Sequence, residues 1–207
     1  MDQRVAIFGG TFDPVHLGHL VMAEQAREQA RLDQVWFLPA ASPPHKLGQA
    51  ITPFAQRAEM LRLAVAGQPA FRVEELEKDR PGPSYTADTL DELHRLYPAL
   101  DLHLLVGSDC LPDLPGWYEP ARIIRRAGLL VVPRPGWPVI GPERLRENLA
   151  LAPEIRLRYQ IVDVPLIEMA SRDLRRRAAE GRTLRYLVPR AVECYILEKR
   201  LYQAAPA

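Results

Sequence analysis

Two histidines three residues apart, His16 and His19, lie in the run GGTFDPVHLGH (9–19), directly behind the apolar VAIF. Near a helix start, residues i and i+3 share a face, so both imidazoles can point one way. Gly18 between them keeps that face flat. Gly9 and Gly10 let the backbone approach a ligand without a Cβ and can turn N–H groups toward an anion. Asp13-Pro14 is a turn and helix-start signal, and a helix N-terminus carries partial positive charge. Together these groups suit a phosphate and the extra charge that develops on it during transfer. Two blander readings use the same residues. A zinc pair lacks a Glu after the first His and an obvious third ligand. A structural Gly turn would leave both histidines incidental. The spacing fits neither G-x-G-x-x-G nor the P-loop pattern ending in Gly-Lys-Ser/Thr.

Other chemistry-bearing segments follow apolar runs in the same manner. SPPHK (42–46) offers His45 and Lys46 as cationic donors on a backbone fixed by Pro43 and Pro44, or else an ordinary exposed loop. PGPSYTADTL (81–90) reads as a rigid turn into a helix that Ser84 or Thr86 could cap. In LVGSDCLPDLPGWYEP (105–120), Gly107 permits close approach. Asp109 there can accept from ribose hydroxyls or serve as an N-cap. Trp117, between Gly116 and Tyr118, has a ring either free to stack or buried. Arg134 follows the fifth apolar run. In MASRDLRRR (169–177), Ser171 is a candidate N-cap and Arg175 a candidate basic ligand, while Arg176 and Arg177 suit a solvated face.

The elements that must position these residues alternate. Short apolar runs at 4–8, 34–38, 71–75, 101–106, 128–132 and 160–164 mostly lack strict alternation, which suits strands buried on both faces. Helical periodicity fills Leu17–Ala30, Pro53–Ala66, Ala87–Leu96, Pro120–Arg126, Arg172–Glu180 and Arg190–Arg200. This order predicts an α/β doubly wound fold: a mostly parallel, Rossmann-like sheet with helices on both faces. Ligands of such folds sit beyond the carboxyl ends of the strands, where the strand order reverses. The Pro/Gly-dense stretch 133–142 reads as a surface loop rather than a boundary. One domain is expected over 1–207, with core strands and opening loop in 1–165 and a helical part, 166–203, completing the phosphate site.

Bulk composition narrows the classes. The 207 residues are 47% hydrophobic and 26% charged, as in ordinary globular proteins. Net charge of +1 provides no field to recruit nucleic acid or an anionic membrane, and no apolar run approaches the roughly 18 residues of a membrane helix. A cytoplasmic location is the default expectation, since MDQRVAIFGG lacks signal-peptide anatomy. Cys110 and Cys194 are expected to be reduced and buried. Whether identical copies assemble is left open.

GGTFDPVHLGH resembles the signature of the nucleotidyltransferase α/β phosphodiesterase superfamily, whose hallmark is a His-x-Gly-His core. GGTFDPVHLGHL, PPHK, SYTADTL, LVGSDCL, WYEP and RYLVPRAVECYI together, in one collinear order from about residue 4 to 197, resemble the bacterial nicotinate-nucleotide adenylyltransferase family. The resemblance implies adenylyl transfer from ATP to nicotinate mononucleotide, giving deamido-NAD and pyrophosphate. It implies catalytic roles for His16, His19, Lys46 and Arg175. ATP would be held by Gly9, Gly10, Thr11, Phe12, His16, Gly18, His19, His45, Lys46, Gly107, Asp109, Arg134, Ser171 and Arg175, with Arg134 near the adenine end. The acceptor would meet Gly10, Thr11, Lys46, Tyr85, Thr86, Asp109, Trp117 and Tyr118, with its carboxylate near Thr86 and its ring on Trp117. Mg2+ is expected on the phosphates rather than in a protein metal site. One segment departs from the family: the usual Ile-Ser-Ser-Thr is here Met169, Ala170, Ser171 and Arg172, so a hydroxyl is lost and a guanidinium gained. Two rivals remain at this level: a sister enzyme such as a pantetheine-phosphate adenylyltransferase, and a non-catalytic nucleotide-binding module of the same fold.

Overall fold

A computed structural model describes residues 3–43, 48 and 50–203. Six strands run β1 (Gln3–Gly10), β2 (Gln34–Pro39), β3 (Phe71–Val73), β4 (Leu100–Gly107), β5 (Gly128–Val132) and β6 (Tyr159–Ile161). They pair in the order β3-β2-β1-β4-β5-β6, and every pairing is parallel. The order reverses between β1 and β4, so the loops after these two strands flank the switch point. The third and sixth strands are shorter than the apolar runs suggested; at a sheet edge only one side is paired, and Glu74 and Asp163 already lie outside the strands.

Helices α1 (Leu17–Gln29), α2 (Phe54–Val65), α3 (Thr86–Leu96), α4 (Pro120–Arg126), α5 (Pro142–Asn148), α6 (Ser171–Ala179) and α7 (Arg190–Glu198) connect and follow the strands. The short α5 was missed, hidden behind the Pro/Gly-dense stretch: Gly141 precedes it and Pro142 occupies its first turn, where a missing N–H does no harm.

The sheet has a core on each face, because alternate strand residues point oppositely. Ala6, Phe8 and Phe37 face one cluster with Met22, Met60, Leu61, Leu174 and Val192. Val5, Ile7 and Trp36 face the other with Leu90, Leu93, Ile123 and Leu145. Strand β5 is buried along its whole length, as its unalternating GLLVV demands.

Both cysteines are free thiols, but only one fits the expectation of burial. Cys110 is half-buried, with its pKa pushed up to about 11 by burial and then by Asp109. Cys194 lies on an outward position of α7 and is exposed. No helix of the described residues is long and apolar enough to cross a membrane.

Candidate active site

His16 and His19 are brought together as their spacing requires. His16 is the N-cap of α1 and His19 its third residue, and the rings stack with centroids 3.7 Å apart and planes 20° from parallel. The backbone N–H of His16 donates to His19 Nδ1 at 3.2 Å, the place a Glu or Gln takes in a capping box. Because Nδ1 accepts, the proton of neutral His19 sits on Nε2, which is therefore a donor. Gly18 makes the stack possible: a Cβ there would lie 3.1 Å from His16 Nδ1 and 3.2 Å from Cε1.

Neither imidazole carries its ordinary basicity. Burial, then Arg134, lowers His16 from 6.5 to about 4. Burial, then His16 and Arg134, holds His19 well below its usual value. Both are neutral near pH 7 and donate through N–H bonds rather than as cations. His16 is 3% exposed, and among the described residues its Nδ1 has no hydrogen-bond partner. Among the described residues, no carboxylate is a cause of either shift. The charged neighbour in both shifts is the Arg134 guanidinium, and the two neutral rings beside it offer N–H donors that an incoming anion can accept from.

The two opening glycines differ in purpose. Around Gly9 nothing lies within 4 Å of an added Cβ, so its surface is open to a ligand. At Gly10 a Cβ would sit 2.9 Å from Phe12 Cζ, because Phe12, at φ 49°, folds its ring back over the strand end. That ring packs edge-on against His19 and Phe8. Gly10 thus makes room for the loop's own packing. Asp13-Pro14 forms the expected turn, but α1 begins only at Leu17, whose N–H is taken by Leu187 O at 3.0 Å.

Around the same loop, Ser171 is the first residue of α6 rather than its N-cap, which is Ala170. Its hydroxyl donates to Pro14 O at 2.8 Å, and Arg175 donates to Asp13 O at 2.7 Å. Both join α6 to the opening loop. Arg172 is exposed. Arg134 is half-buried; its N–H donates to Ser108 Oγ, which in turn donates to Trp137 O. A cleft of about 190 Å³ lined by Gly18, Met22, Arg134, Val164, Leu166 and Ile167 opens beside the histidines.

Past β4, an added Cβ at Gly107 would overlap Asp109 Oδ1 and approach Arg134 Cγ to 3.0 Å. A side chain there would displace the Asp109 carboxylate, which folds back across the strand end. Gly107, not Asp109, is the cap of the short 3-10 turn that follows. Trp117 is half-buried against the second core rather than standing free. The exposed aromatic here is Tyr118, stacked on Tyr85 with centroids 4.6 Å apart. Tyr85 is the N-cap of α3 and offers no side-chain cap; Thr86 is the first helical residue. Ser84 does not cap either: its hydroxyl accepts from Ser42 N at 3.2 Å, tying this turn to the loop after β2. The first turn of α3 therefore keeps N–H groups without a capping oxygen. His45 and Lys46 lie outside the described residues.

Three groups beneath the site escaped the sequence reading. Arg57, on α2 and 1% exposed, donates to Thr11 O (2.8 Å), Ala40 O (2.9 Å) and Thr52 O (2.8 Å). Asp13 is 3% exposed and accepts from Tyr202 Oη at 2.6 Å and Thr52 N at 3.2 Å. Burial, then the charge of Asp13, raises the Tyr202 phenol far above its usual value, so it remains a donor.

A parallel sheet reversing beside a stacked pair of neutral histidines at a helix start is the build of a nucleotidyltransferase, and a family model described as "Cytidylyltransferase-like" matches residues 7–177. The chain is 50% identical to "Probable nicotinate-nucleotide adenylyltransferase" of Thermomicrobium roseum, over 99% of its own length and 94% of the relative's. It is 46% identical to the protein of the same name from Thermus thermophilus, over 97% and 100%. The chain belongs to the nicotinate-nucleotide adenylyltransferase family. Its fold is shared with the Plasmodium falciparum nicotinic acid mononucleotide adenylyltransferase complexed with NaAD, at TM-score 0.79 and 17% identity over 97% of each chain.

Proposed function

We propose that the protein transfers the adenylyl group of ATP to nicotinate mononucleotide, forming nicotinate adenine dinucleotide and pyrophosphate as a step of NAD biosynthesis. An oxygen of the acceptor's 5′-phosphate attacks the α-phosphorus, the bond from that phosphorus to the bridging oxygen breaks, and pyrophosphate leaves with the electron pair. The phosphate of the substrate is itself the nucleophile, so the protein's work is positioning two anions and stabilising charge on the α-phosphate. The stacked pair of neutral histidines beside Arg134 carries this reading. In it, His19 Nε2–H and His16 donate to the oxygens of the α-phosphate, Arg175 and Lys46 serve the outer phosphates, and the cleft beside Gly18 and Arg134 takes the adenine end. Among the described residues no group of three or more His, Cys, Asp or Glu is placed to hold an ion. In this reading a Mg2+ ion would come with the ATP phosphates, with water completing its shell.

The acceptor's ring is assigned to the Tyr85–Tyr118–Trp117 side, with its carboxylate on the uncapped first turn of α3. Helix-start N–H groups favour an anion, and a charge-assisted hydrogen bond is worth about 1.5–3 kcal/mol. The amide of nicotinamide mononucleotide would instead set N–H donors against N–H donors. Side-by-side kcat/KM at saturating MgATP should favour nicotinate mononucleotide by roughly ten- to several-hundredfold. Equal values, or a preference for the amide, would reject the acceptor assignment while leaving the transfer chemistry standing.

A further inference from the structure

The opening loop is held by its carbonyl groups. Gly10 O accepts from Ala40 N at 2.9 Å, Thr11 O from Arg57, Asp13 O from Arg175 and Pro14 O from Ser171. Four carbonyls in a five-residue stretch are thus drawn toward donors from the loop after β2, α2 and α6. A carbonyl oxygen facing a phosphate would repel it, so turning these oxygens toward protein donors removes that repulsion from the side the nucleotide takes. Of these donors Arg57 alone spans several segments: besides Thr11 it holds Ala40, just past β2, and Thr52, just before α2. Its buried charge is answered by Asp13, which is held in place by Tyr202 and Thr52.

We propose that Arg57, with Asp13 and Tyr202, forms a buried positioning network that fixes the carbonyl groups of the opening loop away from the phosphates and sets the loops after β1 and β2 at the separation that adenylyl transfer needs. Arg57 and Tyr202 act through the backbone and touch no substrate. The inference deepens the transferase reading and rests on it. A lysine at 57 would keep the charge, but one ammonium cannot serve three carbonyls on separate segments, whereas the guanidinium fork does. A displacement near 1 Å in a site of this kind costs on the order of a hundredfold in rate.

The test uses the full chain, MgATP and nicotinate mononucleotide. Arg57→Lys should lower kcat by about thirty- to a hundredfold with a much smaller change in the KM for ATP, since the outer phosphate contacts persist. Tyr202→Phe, which keeps the ring and removes the hydroxyl, should lower kcat by about three- to tenfold in the same pattern. Leu145→Ala, in the core on the opposite face of the sheet, loses packing without touching the loop and should stay within about twofold of the parent in kcat wherever it is folded. Turnover in Arg57→Lys and Tyr202→Phe within twofold of the parent, or an equal kcat loss in Leu145→Ala, would overturn the proposal. If Arg57→Lys does not fold, Tyr202→Phe decides by the same criterion. If the parent itself fails to use nicotinate mononucleotide, the functional reading falls separately. Amide hydrogen exchange then decides the network: faster exchange confined to residues 9–16 in Tyr202→Phe supports it, and unchanged exchange there rejects it.

Discussion

The two ends of the sheet each bury a histidine, and they do so in opposite ways. Near the amino ends of the strands, His103 on β4 is 6% exposed, with Nε2 3.2 Å from Asp101 Oδ2 and 3.5 Å from an Arg4 nitrogen. Burial lowers its pKa, but Asp101 opposes the shift. Burial alone would raise Asp101, yet Arg158 and His103 hold it below its usual value. Every charge there has a partner. At the carboxyl ends, His16 and His19 face each other and Arg134, and no carboxylate figures in their shifts. A closed ion network fastens strands; a cluster of donors left without an acceptor is ready for an anion. The difference lies in the charged neighbour rather than in the histidines: the Asp101 carboxylate at one end, the Arg134 guanidinium at the other.

The largest expected effect tests the open end. His19→Asn places an amide oxygen where Nδ1 accepts from His16 N–H, so the helix cap survives while the Nε2–H donor is lost. Its kcat should fall by about a hundred- to a thousandfold, the scale for one donor to developing charge, with the melting temperature close to the parent's. Turnover near the parent's would end the proposed role.

Next comes acid stability. A folded pKa of about 4 for His16, below its ordinary 6.5, means that the unfolded chain binds the extra proton between those values. Stability is therefore complete above about pH 6.5 and declines as pH falls toward 4, by about 3 kcal/mol from this group. His16→Asn should flatten that slope in urea unfolding measured across the window; an unchanged slope would show that His16 is not the group responsible.

The smallest effect belongs to the closed end. His103→Asn should leave kcat and the KM for ATP within about twofold of the parent. A large kinetic loss would erase the contrast between the two ends.

Much of this contrast is legible in the residues. Unalternating runs such as GLLVV announce strands buried on both faces, and His-x-Gly-His announces one helix face carrying two imidazoles. Capping positions were harder. Ser84, Thr86 and Ser171 all have the right side chains, yet their oxygens go elsewhere or stand one place late, because loop paths fixed by distant contacts decide the register. Arg57 left no signal: an Arg within a helical period reads as a solvated face, and nothing local tells that three carbonyls converge on it. Asp13 reads as a turn residue and Tyr202 as the end of a helix, although they meet across 189 residues of sequence. Trp117 reads from the sequence as either free or buried, and its half-burial comes from a core assembled from distant segments.

That long-range meeting bears on how the molecule comes into being. Synthesis runs from the amino end at roughly 5–20 residues per second, so Tyr202 emerges some 10–40 s after Asp13. The opening loop exists early, yet Ser171, Arg175 and Tyr202, which hold it, arrive more than 150 residues later. A nascent or prematurely terminated copy holds the two histidines without the clasp that orients their loop. The loop acquires its full set of holding bonds only once the chain has been made through residue 202.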